Sequence, residues 1–287
     1  MIDNDTILVR PMAEQDLDAG ARLSQGAGWN QRRADWAFLY RANPAGCFVA
    51  ERNGRVAGTV TAIDYGGKSG WIAMMLVEPS MRRQGVGSRL MAAAVEALGH
   101  CESIKLDATP AGKKVYDRLG FVDEYQFCRL TIPSVHPGDS PVSQRVRPMG
   151  DGDLDAVVAL DAGWFGIERR VVIEGFRALA PEYALVAEEA GAIAGFALGR
   201  HGEHFEQIGP VMAAGVDTAK ALARAAFART AGKPVAVDAL EHTLAWWKWL
   251  ESLGFTKQRP FIRMYRGANP YPGTPRHIFA IAGPEVG

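Results

Sequence analysis

Two glycines close behind a pair of arginines give this chain its clearest anion-binding chemistry. They lie in the stretch Val77-Glu78-Pro79-Ser80-Met81-Arg82-Arg83-Gln84-Gly85-Val86-Gly87-Ser88-Arg89-Leu90. It reads as the end of an apolar strand, a turn at Pro79, and a loop that enters a helix. Backbone N–H groups from Arg83 to Ser88 can converge on one point, and neither Gly85 nor Gly87 has a Cβ to hold an anion away. The helix start adds roughly half a positive charge, so the loop suits a phosphate or pyrophosphate. Arg82, Arg83 and Arg89 add cationic side chains. A plain arginine-rich turn would have the same composition. The loop lacks the Gly-Lys-Ser/Thr end of a P-loop and the third glycine of a dinucleotide fold, which disfavours a nucleotide-binding regulator.

The elements that must position this loop follow from local signals. Residues 7–10 form a short strand ending at Pro11, and Leu17, Ala21 and Leu23 mark one face of a helix. Residues 47–52 and 56–64 flank Asn53-Gly54 as a hairpin. The apolar run 71–77 reads as a strand covered on both faces. Helix 87–98, strand 103–107, helix 113–119 closed by Gly120 and strand 127–132 complete the set. The expected class is α+β, a mixed, mostly antiparallel sheet flanked by helices.

This set occurs twice. Val9-Arg10-Pro11-Met12 and Asp16-Leu17-Asp18-Ala19 recur as Val146-Arg147-Pro148-Met149 and Asp153-Leu154-Asp155-Ala156, an offset of 137. The same offset carries Val49-Ala50-Glu51 to Val186-Ala187-Glu188. Leu119-Gly120-Phe121 returns as Leu253-Gly254-Phe255 at an offset of 134. Two homologous domains are expected, 1–135 and 144–266, joined by a linker at 136–143 and followed by a tail at 267–287. The tail is expected to add a strand at a sheet edge. At the offset of 134, Ala219 and Ala221 fall opposite Gly85 and Gly87, Asp217 opposite Arg83, and Leu250 opposite Tyr116. The second copy thus reads as a fold kept and a site lost. Trp246, Trp247 and Trp249 share a short helix, and one of them is expected to face another domain or a partner.

Composition narrows the class. The 287 residues carry 32 basic and 32 acidic side chains, a net charge of zero, which gives no reason to expect nucleic acid or an anionic membrane as partner. No apolar run approaches the ~20 residues of a membrane span. The acidic opening Met1-Ile2-Asp3-Asn4-Asp5 is no secretory signal, so the cytoplasm is the expected compartment. Three scattered cysteines make neither a disulfide framework nor a zinc site, and no metal is expected.

Arg82-x-x-Gly85-x-Gly87 after Leu76-Val77-Glu78-Pro79 resembles motif A of the GNAT superfamily of N-acyltransferases. Farther on, the stretch from Leu106-Asp107-Ala108-Thr109-Pro110 to Tyr116-Asp117-Arg118-Leu119-Gly120-Phe121 resembles the superfamily's motif B. The resemblance covers residues 7–132 and reaches the second copy through the fold pattern, as in tandem-GNAT acetyltransferases with a degenerate C-terminal domain. It implies acetyl-CoA as co-substrate and the primary amine of a small molecule as acceptor, in a monomer or homodimer. It implies main-chain hydrogen bonds from Met75, Leu76 and Val77 to the pantetheine arm, in a splayed gap beside the next strand. Arg82, Arg83, Gln84, Gly85, Val86, Gly87 and Ser88 would hold the pyrophosphate. Thr109 stands where many relatives have Asn. Tyr116 stands where the superfamily has the phenol that protonates the departing thiolate; a donor with pKa near 10 suits that task. Without the motif, Tyr116 reads as a core residue.

No carboxylate or histidine lies on Ile72-Ala73-Met74-Met75-Leu76, where many relatives carry a general base. Glu78 is the nearest substitute in sequence, with Asp64, Glu51 and Glu124 as others; Glu78 also reads as a solvated strand end. Trp29 and Asn30 either border the acceptor or simply pack. The rival reading is a catalytically idle acyl-CoA-binding sensor or scaffold, which the missing base favours and Tyr116 opposes.

Overall fold

The structure, a computed structural model, describes residues 7–135, 145–241 and 243–287. The expected linker 136–143 and the acidic opening residues lie outside the described residues. The chain divides into two compact units, Met1–Leu106 and Asp107–Gly287.

In the first unit the order is β1 (Leu8–Pro11), α1 (Leu17–Gly26), α2 (Arg33–Ala42), β2 (Phe48–Arg52), β3 (Arg55–Tyr65), β4 (Ser69–Val77), α3 (Val86–Ala97) and β5 (Ser103–Ala108), whose last two residues belong to the second unit. Strands β1 to β4 pair as antiparallel neighbours and β4 pairs β5 in parallel. The β2–β3 turn is made by Asn53 (φ 53°) and Gly54 (φ 74°), the two left-handed positions that a two-residue hairpin requires. Helix α3 buries Val86, Leu90, Met91 and Ala94, at the 3.6-residue spacing of one apolar face.

The second unit continues with α4 (Pro110–Asp117), β6 (Val122–Ile132), β7 (Val146–Pro148), α5 (Leu154–Phe165), α6 (Arg170–Leu179), β8 (Leu185–Glu189), β9 (Ala192–Arg200), β10 (Glu206–Ala213), α7 (Val216–Phe227), β11 (Val235–Leu240), α8 (Leu244–Ser252), β12 (Thr256–Gly267) and β13 (Ile278–Ala280). Its strands run β12-β6-β11-β13-β10-β9-β8-β7. Strand β10 meets β11 in parallel, and the other neighbours are antiparallel. In each unit the strand pairing is mixed, mostly antiparallel, and flanked by helices.

The repeat is preserved in side-chain contacts. Arg10 bonds Asp16 and Glu51 at 2.7 and 2.8 Å. At the offset of 137, Arg147 bonds Asp153 at 2.6 Å and Glu188 at 2.5 Å. Arg33–Asp18 likewise returns as Arg170–Asp155. Packing does not follow the repeat, however. Strand β6 comes from the first copy in sequence, yet it lies between β11 and β12 of the second. The buried pair Arg129–Asp238, 2.7 Å apart, ties β6 to β11.

Three local expectations need correction. Helix α4 begins at Pro110 rather than residue 113, because the Thr109 hydroxyl caps it by accepting from the Gly112 N–H at 3.2 Å and Pro110 fits the first helical position. Trp246, Trp247 and Trp249 all lie in the second unit's own core, with Trp246 against Phe279 and Trp249 stacked on Phe227. The tail strand β13 is no edge, since it enters between β10 and β11.

Candidate functional site

The end of β4 is shaped in three ways that a plain strand would not need. Its parallel ladder with β5 covers Ser69, Gly70 and Trp71 only, so residues 72–77 lack a rung on that side while they remain paired to β3. Its register against β3 breaks between Thr59 and Thr61, leaving Met74 and Met75 as the bulged residues. Met74 is buried with φ 51°, a conformation that costs a non-glycine residue on the order of 1–3 kcal/mol. The Thr59 hydroxyl steadies the bulge by donating to the Met74 carbonyl at 2.9 Å. A bulge re-aims the main-chain groups beside it, and here those belong to Met75, Leu76 and Val77. No sequence signal marks Met74 as left-handed.

The turn after β4 is equally specific. Arg83 (φ 63°) and Gly85 (φ 79°) are both left-handed, and Gly85 is the residue that caps α3. No side chain caps this helix start, so its first-turn N–H groups have neither an intrahelical nor a capping acceptor. Alternating left-handed residues ahead of a helix gather such N–H groups into an anion-binding hollow. Arg82, Arg83, Gln84, Gly85 and Ser88 are exposed, Gly87 is half-buried and Val86 is buried. Two of these residues brace the loop. Gln84 donates to the Ser80 carbonyl at 2.9 Å and accepts from Arg52 at 3.2 Å; Arg82 donates to the Val77 carbonyl at 3.2 Å.

Leu76, Val77, Glu78 and Arg82 line one cleft of about 260 Å³ together with Arg22, Leu23 and Arg55. Arg22 and Arg55 carried no sequence signal; they join through the fold. Trp29 and Asn30 do not line this cleft. They sit in the turn after α1, where Asn30 is buried and the Trp29 N–H donates to the Ser24 carbonyl at 2.9 Å.

Every carboxylate considered as a base already has a partner. Glu78 accepts from Arg55 at 2.7 Å, Glu51 from Arg10 at 2.8 Å and Glu124 from Asn269 at 3.0 Å. Asp64 faces His100 at 2.9 Å. Of the four, only Glu78 lines the cleft.

Thr109 and Tyr116 belong to α4 in the second unit. Thr109 spends its hydroxyl oxygen on the helix cap. The Tyr116 ring folds back over Gly112 and meets Phe121 edge-on, 6.0 Å between centroids. Burial pushes its phenol above the ordinary tyrosine range, because the anion would be desolvated. The group therefore stays protonated at neutral pH, as a proton donor must.

In the second copy the loop itself is gone. Residues 78–85 separate β4 from α3, whereas residues 214 and 215 alone separate β10 from α7. Ala219 and Ala221 therefore lie inside α7, not opposite Gly85 and Gly87 as the offset of 134 placed them. The helix starts, Val86 and Val216, differ by 130. The sequence offset averaged a six-residue loss here with later gains.

Residues 12–121 match the acetyltransferase (GNAT) family, and residues 157–280 match an acetyltransferase (GNAT) domain. The chain belongs to the GNAT superfamily, with two GNAT domains in tandem. It is 24% identical over 290 residues to holothin acyltransferase of Pseudoalteromonas sp. (strain SANK 73390), covering 100% of this chain and 97% of the relative. It is 23% identical over 218 residues to the uncharacterized N-acetyltransferase YitH of Bacillus subtilis (strain 168), covering 75% and 76%. The fold matches a putative acetyltransferase from Pyrococcus horikoshii with TM-score 0.83 at 20% identity, covering 98% and 96% of the two chains. A tandem GNAT protein from the clavulanic acid biosynthesis pathway matches with TM-score 0.63 at 16% identity, covering 92% and 99%. The activity class is that of a GNAT-type acyltransferase. Among the described residues, no helix is long and apolar enough to cross a membrane.

Proposed function

We propose that the chain transfers an acetyl group from acetyl-CoA to the primary amine of a small molecule, in the cytoplasm and without a metal. The observation that carries the reading is the β4–α3 turn. Strained Arg83, left-handed Gly85 and an uncapped helix start form a hollow next to a bulged strand whose edge toward β5 has no rung past Trp71. The pyrophosphate belongs in that hollow, held by N–H groups from Arg83 to Ser88. The pantetheine arm belongs along Met75, Leu76 and Val77. Thr109 keeps its capping role and marks the start of the tyrosine's helix.

In the reaction, the amine nitrogen attacks the thioester carbonyl, a tetrahedral adduct forms, and the C–S bond breaks. Tyr116 gives its proton to the leaving thiolate. The amine's proton leaves through water, with Glu78 as the carboxylate best situated to receive it, and Trp29 and Asn30 belong to the acceptor side.

One observation favours the idle acyl-CoA-binding reading instead: each candidate base is already hydrogen-bonded. Calorimetry with acetyl-CoA, followed by turnover on a panel of small amines, separates the two. Binding with turnover supports the enzyme, and tight binding without turnover on any amine supports the sensor. No binding refutes both.

A further inference from the structure

The tail strand stands where the second copy's coenzyme gap should be. The offset of 137 carries β4 onto β10, and the parallel rungs correspond. Ser69–Ser103 and Gly70–Ile104 in the first copy become Glu206–Val235 and Gln207–Ala236 in the second. Beyond its last rung β10 parts from β11, as β4 parts from β5. In the second copy the gap is filled by β13.

The filling is specific. Met212 pairs with Ile278 and Val211 with Ala280 on one side, and Ala239 pairs with Ala280 on the other. Ile281 donates to the Asp238 carbonyl at 3.0 Å. His277 Nδ1 lies 3.0 Å from the Ala213 carbonyl. Met212 and Ala213 are the counterparts of Met75 and Leu76, two of the residues given to the pantetheine arm above. Residues 278–282 are all at most 2% exposed. Gly209 admits the tail closely, because a Cβ there would stand 2.1 Å from the Ile281 carbonyl oxygen. Past the strand, Glu285 pairs with buried Arg200, and Arg169 donates to the Val286 and Gly287 carbonyls.

An extended peptide offers a splayed strand pair what a pantetheine arm offers, a narrow chain with amide N–H and C=O groups along it. We propose that residues 277–286 are a permanent intramolecular ligand of the second GNAT copy, seated in the gap that pantetheine takes in the first. This rests on the acetyl-CoA reading above. It gives the degenerate copy a reason to persist without a coenzyme: its gap is closed from within, and no apolar slot is left open.

Amide hydrogen exchange on the full chain tests the proposal, with and without saturating acetyl-CoA. The expected result is slow exchange at 278–282 in the free protein, unchanged by coenzyme, with new protection at 75–77 on binding. Gly209→Ala should then speed exchange at 278–282 by at least tenfold and leave coenzyme affinity within twofold. Fast exchange at 278–282 in the free protein would overturn the proposal, as would a change there on adding coenzyme. Slow tail amides with no protection at 75–77 would refute the acetyl-CoA reading, and with it the equivalence of the two gaps.

Discussion

Arg263 grips Asp107 with two parallel hydrogen bonds of 2.9 Å, across 156 positions of sequence. Both side chains are buried. Asp107 is the penultimate residue of β5, two before Thr109, so β12 fixes the point from which α4 and Tyr116 depart. The same guanidinium donates to the Tyr125 hydroxyl. Removing one member of a buried pair strands the other charge and costs about 3–5 kcal/mol. Asp107→Asn should therefore lower the urea midpoint by that equivalent, and an unchanged midpoint would show that the pair adds no stability.

Gly87→Ala offers a clean test of the anion hollow. A methyl group there would meet only the Val77 side chain, at 3.7 Å, so the fold can accept it. Alanine in a helix is also favoured over glycine by about 0.8–1 kcal/mol. The variant should melt no lower than the parent and bind acetyl-CoA at least tenfold more weakly by calorimetry. Unchanged affinity would move the pyrophosphate elsewhere. Gly85 is unsuited to this test, since its left-handed backbone strains any other residue.

Tyr116→Phe should leave acetyl-CoA affinity intact and lower kcat by roughly 10²–10⁴. Burial raises this phenol, so it stays protonated past the ordinary value near 10. The wild-type rate should then hold into mildly alkaline solution and fall only above about pH 10. A decline centred well below that pH, equal in both proteins, would assign the titration to another group.

Much of this was legible before the fold was. Asn53-Gly54 announces its hairpin, and Gly85 the turn into α3, because their left-handed backbones favour glycine or asparagine. Met74 could not be read, since a bulge is imposed by the β3 register and leaves no mark on a methionine. Arg22 and Arg55 reach the cleft by folding alone. The missing loop of the second copy was hidden by later insertions that brought the offset back from 130 to 134. The repeat also misled in one respect: sequence gave β6 to the first copy, while long-range pairing placed it between β11 and β12.

Acid should unfold the second unit partly through Arg147. Its bonds hold the Asp153 carboxyl down at about 2. A depressed carboxylate contributes stability above its unfolded value near 3.9, and that contribution is lost as pH falls toward 2. Arg147→Met should flatten the fall in melting temperature between about pH 4 and pH 2. If the variant keeps the parent's slope, the pair carries none of the acid sensitivity. The exposed arginine makes the effect modest.

Coenzyme stoichiometry decides what the second copy is for. Eight residues, 78–85, build the hollow in the first copy, and two, 214 and 215, remain in the second. Asp217 then sits in the first turn of α7, where its negative charge suits the positive end of the helix and would repel a pyrophosphate. The strand gap alongside is filled by β13. Each change alone would weaken binding; together they leave neither the phosphate end nor the pantetheine arm a place. Equilibrium dialysis should give one acetyl-CoA per chain, and Gly87→Ala should weaken all of it. Two equivalents per chain, or one that the Gly87 variant leaves untouched, would mean that the second copy still binds coenzyme by groups other than these.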